Sequence, residues 1–117
     1  MIDHATGLMW QQSGSQEYMT YAEAENYVAD LQNKRFVGFN DWRLPTLEEA
    51  MSLMEPKQHD NLYLDPVFDR KQTWIWTADK VSAGLAWVVY FLYGGCVHGH
   101  VNDCYYVRAV RGGQLTI

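Results

Sequence analysis

The segment from Tyr90 to Tyr105 reads Y-F-L-Y-G-G-C-V-H-G-H-V-N-D-C-Y and holds both cysteines of the chain, two of its four histidines and three tyrosines. Cys96, His98 and His100 alternate, so on a strand all three project from one face; with Cys104 across a hairpin they offer two sulfurs and two nitrogens to a zinc ion. The spacing is not a usual zinc signature. Cys96 and Cys104 could instead pair as a disulfide if their strands lie opposite each other. A thiol oxidase needs its reactive cysteines in an electropositive, partly enclosed pocket, and no basic residue lies near these two before Arg108. A third chemistry needs no reaction. Tyrosine offers a large amphipathic contact at low entropy cost, with His and Asn adding hydrogen bonds, which suits a displayed binding surface. The expectation is therefore a non-catalytic binding segment, with no cofactor and no bound metal.

The elements that must hold this segment are readable around it. Leu85–Phe91 and Tyr105–Arg111 alternate in the manner of strands and flank a Gly-bearing connection at Gly94-Gly95. Upstream, Thr20 with Glu23 and Thr46 with Glu49 form two T-x-x-E capping boxes. The first opens a helix over about 21–33, whose buried stripe is Tyr21, Ala24, Val28 and Leu31. The second opens a short helix closed by Pro56. Its acidic first turn, Glu48 and Glu49, reads as capping that complements the helix dipole. The stretch from Lys57 to Lys71 reads as a long surface connection, followed by a strand at Trp74–Thr77. Helices followed by several strands make an α+β pattern, not the alternation of a parallel doubly wound sheet.

Length and charge narrow the class. A chain of 117 residues has material for one core, and seventeen aromatic residues argue against disorder. The longest apolar run, Leu85–Tyr93, is far too short to span a bilayer, and neither a basic start nor an apolar run follows Met1 to mark a secretory leader. The net charge of −5 and nine scattered Lys and Arg disfavour nucleic acid as a partner. Charge is also unevenly placed: from position 80 onward only Lys80, Asp103, Arg108 and Arg111 are charged.

Four segments carry a family resemblance: Thr6-Gly-Leu-Met-Trp10, Asp41-Trp-Arg-Leu-Pro-Thr46, Trp76-Thr77 and Tyr106-Val-Arg-Ala-Val-Arg-Gly112. Together they resemble the C-terminal domain family of collagen-like bacterial adhesins, long labelled a domain of unknown function. The resemblance implies a C-type lectin-like fold with two helices packed on antiparallel sheets, related to the formylglycine-generating enzyme and to variable proteins of diversity-generating retroelements. It also implies a role in binding and adhesion, glycosaminoglycan binding included, at a cell surface or outside the cell as part of a longer protein. The residues of these motifs read as scaffold. Trp10, Trp42 and Trp76, with Trp74 and Trp87, are expected in the interior, and Pro45 stiffens the entry to the second helix. Arg43, Arg108 and Arg111 are expected to pair with carboxylates such as Asp41 and Asp3.

Function then falls to the weakly charged segment. From Val88 to Gly113 the sequence contains no Lys, Glu, Gln, Met or Trp, the five residues that codons with free first and second bases and a third-position pyrimidine cannot encode. This matches a retroelement that rewrites adenine-templated codons near the C-terminus. The expected displayed, ligand-binding residues are Tyr90, Leu92, Tyr93, Gly95, Cys96, His98, Gly99, His100, Asn102, Asp103, Cys104 and Tyr105, with Phe91, Val97, Tyr106, Val107 and Val110 holding the strands down. The partner is expected to be a protein or glycan on another cell or phage surface. The alternative is a fixed-sequence glycan-binding adhesin domain.

Overall fold

Two threonines set where the helices begin. Helix α1 spans Tyr21–Asn33 and helix α2 spans Leu47–Ser52. At each start the N3 glutamate N–H donates to the threonine Oγ1 (3.4 Å at Thr20, 3.1 Å at Thr46). Each threonine N–H in turn donates to the glutamate Oε1, at 2.9 Å. Both capping boxes form as the sequence predicts. The structure is a computed structural model and describes residues 2–3 and 6–112.

The strands make three antiparallel sheets. The first joins β1 (Ile2–Asp3), β2 (Leu8–Trp10) and β8 (Val110–Gly112), with β2 in the middle. The second is a hairpin of β3 (Met54–His59) and β4 (Leu62–Leu64). The third joins β5 (Trp74–Ser82), β6 (Leu85–Tyr90) and β7 (Gly95–His100) in sequence order. With two helices against these sheets the molecule is α+β and matches a C-type lectin-like architecture. Among the described residues no helix is long and apolar enough to cross a membrane.

The third sheet divides the interior in two. On one face Ala86 and Val88 pack with Trp76 and Trp42 beneath α1, through Tyr21, Ala24, Val28 and Leu31. On the other face Val89, Ile75 and Phe91 pack with Trp10, Leu62, Leu64 and Ala50 of α2. This division follows from the two-residue side-chain period of β6.

Three expectations about the elements need correcting. The stretch 57–71 is not all loop, because residues 57–64 complete the β3–β4 hairpin. Its two-residue turn is Asp60-Asn61 (φ 51° and 70°), and both residue types tolerate the left-handed conformation that such turns require. Helix α2 ends at Ser52, and Pro56 lies within β3. Residues 105–111 are not one strand beside β6. The strand that follows β6 in its sheet is β7, from Tyr90 opposite Gly95 to Leu85 opposite His100, while Tyr105 and Tyr106 make single bridges to Met19 and Ile75. Gly94, at φ 77°, completes the turn that brings β7 back along β6.

The motif arginines explain why their segments occur together. Arg43 donates to both carboxylate oxygens of Glu49 (2.7 and 2.8 Å) and to the Gly112 carbonyl (3.1 Å), while its main chain exchanges hydrogen bonds with Val110. Arg111 donates to both oxygens of Asp41 and lies 3.8 Å above the Phe39 ring. The D-W-R-L-P-T and V-R-A-V-R segments therefore clasp each other. Arg43 and Arg111 thus pair with carboxylates as expected, and the partner of Arg43 is Glu49, the same residue that caps α2. Arg108 corrects the expectation: fully buried, it is held by the carbonyls of Gln11, Gln12 and Asp69 and by Gln72 Oε1. Burial pushes its pKa down to about 10. Trp10, Trp42 and Trp76 are buried as expected, and Pro45 is buried with them, whereas Trp74 and Trp87 are only half-buried.

Candidate functional site

Strand parity decides which of the proposed site residues can act together. On β6 and β7, Tyr90 lies opposite Gly95, while Val89, Trp87 and Leu85 lie opposite Cys96, His98 and His100. Tyr90 therefore shares a face with Val88 and Gly99, and the Cys96, His98 and His100 side chains project from the other. The twelve proposed residues do not form one surface.

On the first face the aromatic rings touch in series. Tyr93 meets Tyr90 edge-on at 4.7 Å, and Tyr90 stacks on Trp74 at 4.2 Å with the planes 17° apart. Trp74 meets Tyr105 at 5.0 Å, Tyr105 meets Trp76 at 4.8 Å, and Trp76 meets Tyr21 of α1 at 5.1 Å. Burial is graded along this series, from Tyr93 at 78% exposed through half-buried Tyr90, Trp74 and Tyr105 to fully buried Trp76. Each ring restricts its neighbour, so the outer tyrosines are held before any ligand arrives. Burial, and then the Asp103 carboxylate, raise the Tyr105 pKa above 10.0, so its hydroxyl stays neutral and able to donate.

Beside this series lies a groove of about 340 Å³ lined by Tyr18, Lys71, Thr73, Trp74, Cys104 and Tyr106. Tyr18 is 61% exposed and meets Tyr106 edge-on at 5.8 Å. A larger hollow, about 690 Å³, lies between α1 and the D-W-R-L-P-T segment. Two of its charged lining groups, Arg43 and Glu49, already bind each other, and Lys80 sits over the Tyr21 ring.

Of the twelve residues, Leu92, Tyr93, His98, His100, Asn102, Asp103 and Cys104 are exposed, and Tyr90, Gly95, Cys96 and Tyr105 are half-buried. Gly99 is buried, which corrects its expected display. A Cβ there would come within 2.6 Å of Val88 Cγ2 and 2.8 Å of Tyr105 Cε2. Val97, expected to hold the strand down, is 43% exposed. His98 packs edge-on against Trp87 at 4.3 Å on the opposite face. Both cysteines are free thiols. Among the described residues no three His, Cys, Asp or Glu side chains are arranged to hold a metal ion, so the two-sulfur, two-nitrogen reading has no geometry behind it. Sequence reasoning missed Trp74 as a surface residue, and missed Tyr18 altogether.

The sheet that carries the aromatic series is tied through β5 to both motif segments, Ala78 N–H donating to the Pro45 carbonyl and Trp76 N–H to the Tyr106 carbonyl. The model of the Lcl C-terminal domain matches residues 1–111. The chain belongs to the Lcl C-terminal domain family. The match takes in all four motif segments except Gly112, the last residue of the fourth. No curated protein matches the sequence. Membership of the Lcl C-terminal domain family supports an adhesin-type, ligand-binding domain.

Proposed function

We propose that the chain is a non-catalytic, adhesin-type domain that captures its ligand on the aromatic face built by Tyr93, Tyr90, Trp74 and Tyr105 and on the groove beside it. The observation that carries this reading is the graded ring series. A large aromatic side chain left 78% exposed, yet braced by rings that run back to the core, contributes contact area with little further loss of freedom on binding. The partner on this reading is a protein or glycan at another cell surface. Beads carrying the domain, layered on cultured cells, test it: Tyr93→Ala reduces retention by about tenfold or more, with the melting temperature unchanged. Retention equal to that of the parent contradicts the reading.

A narrower version makes the chain the variable protein of a diversity-generating retroelement. It is supported by the seven exposed positions, which fall on one hairpin and the turn after it. Gly99 stands apart from the varied set, because a side chain there would press on Val88 and on Tyr105. A near-repeat of the coding sequence for 90–105, differing only at adenines and lying beside a reverse transcriptase gene, is the expected observation. Its absence from the genome leaves a fixed-sequence binding domain.

A further inference from the structure

We infer that the ligand of the aromatic face is an uncharged saccharide held by ring stacking and hydroxyl hydrogen bonds, and not a sulfated or phosphorylated polymer. The inference rests on the ligand-binding reading above and adds the chemistry of the ligand.

The cations are the first reason. Nine Lys and Arg stand against fourteen Asp and Glu, and most of the nine are engaged within the fold. Arg43 and Arg111 bind Glu49 and Asp41, and Arg108 is buried on carbonyls. Arg70 donates to the carbonyls of His59, Leu64 and Asp65. Lys34 pairs with Asp30 at 3.3 Å, and Lys80 lies over Tyr21. Among the described residues that leaves Arg35, Lys57 and Lys71, on three separate segments of the chain, and of these only Lys71 lines the groove. Holding a polyanion requires several cations on one surface to concentrate positive potential. Here the groove contributes one lysine, Lys71, and the ring series one carboxylate, Asp103, which acts on Tyr105, so among the described residues the face gathers no excess of positive charge.

The second reason is what the face offers instead. A sugar ring has an apolar C–H face and a rim of hydroxyls, and the protein surface has the matching composition. Rings provide the contact, while the Tyr hydroxyls, Thr73 and Asp103 provide polar groups around it.

The test immobilises uncharged oligosaccharides (gluco-, galacto-, manno-, xylo- and N-acetylhexosamine series) beside heparin and chondroitin sulfate. Parent, Tyr93→Ala and Lys71→Ala proteins are compared at about 50 and about 500 mM NaCl, a span over which screening removes most surface charge attraction. The expected result is parent binding to at least one uncharged series. That affinity changes less than about threefold with salt or in Lys71→Ala, and falls about tenfold or more in Tyr93→Ala. Binding confined to the sulfated polymers, lost in high salt, overturns the inference, as does binding to none of the saccharides. The two readings fail separately. If Tyr93→Ala loses cell capture while no uncharged sugar is bound, the face stands and the ligand class falls. If an uncharged sugar is bound equally by parent and Tyr93→Ala, the face itself falls.

Discussion

The arginine-clasped seam and the aromatic face use the same kinds of residue to opposite ends. In the seam, Arg43, Arg108 and Arg111 direct their guanidinium groups at carboxylates and carbonyls of the chain itself, and three tryptophans nearby are buried. Across the aromatic face, rings touch one another but leave their outer members to solvent. The seam's polar groups are turned inward, so a change there is felt as lost stability. The face ends in Tyr93, whose loss removes little that the fold depends on. A motif such as W-R-L-P-T can be a fastening, while the proposed contact surface sits in a stretch without a motif.

The largest expected effect lies in the seam. Arg108→Met leaves three carbonyls and the Gln72 amide oxygen buried without their donor, a loss of about 3–5 kcal/mol, comparable to the whole stability of a small domain. Chemical denaturation should show a protein that is largely unfolded or has a much lower midpoint. A midpoint within error of the parent would remove the seam from the account. Arg43→Met breaks a half-exposed bidentate pair and a third hydrogen bond to Gly112. About 2 kcal/mol is expected, or on the order of 8 °C in melting temperature. Equal melting temperatures would show that Arg43 is not a fastening.

Gly99→Ala joins the two regions, since its new methyl group would press on Val88 and on Tyr105 of the ring series. About 1–3 kcal/mol should be lost, together with some ligand capture, and calorimetry beside the bead assay reads both. Acidification gives a smaller effect confined to the seam. The Arg43 guanidinium lowers the pKa of Glu49, and Arg111 does the same for Asp41. A carboxylate whose folded pKa lies below its unfolded value contributes stability above the unfolded value, near 4.5 for Glu49, and loses it as pH falls through the folded one. Melting temperature should therefore drop below about pH 4.5, and less steeply in Glu49→Gln. The smallest stability effect is that of Tyr93→Ala, within about 0.5 kcal/mol, although its effect on capture is large.

Much of the scaffold was legible because it depends on local chemistry. Thr20 with Glu23 and Thr46 with Glu49 announce both helices through bonds made within four residues. The depth of the tryptophans was not legible for a geometric reason. Trp74 and Trp76 project from the same face of β5, but Trp76 is covered by Tyr21 of α1 and Trp74 is not, and no local pattern records how far a helix reaches across a sheet. The same holds for the displayed segment. Which residues between 90 and 105 share a face depends on β7 pairing with β6, from Gly95 opposite Tyr90, and that register is set by the turn ending at Gly94. Once the register is known, His98 and His100 separate from Tyr90 by parity alone. Arg108 shows the other limit, because main-chain carbonyls as partners leave no trace in residue types.

A bulky adduct placed on either side of the sheet tests the central claim most directly. Cys104 lines the groove on the aromatic side, whereas His98 is exposed on the opposite face against Trp87. A large maleimide is coupled to Cys104 in a Cys96→Ser protein, and to position 98 in a protein carrying His98→Cys, Cys96→Ser and Cys104→Ser. Cell capture is then measured before and after coupling. The account predicts that the adduct at 104 abolishes capture and the adduct at 98 leaves it unchanged. Capture that survives the adduct at 104 and is lost with the adduct at 98 would place the ligand on the histidine face and contradict it.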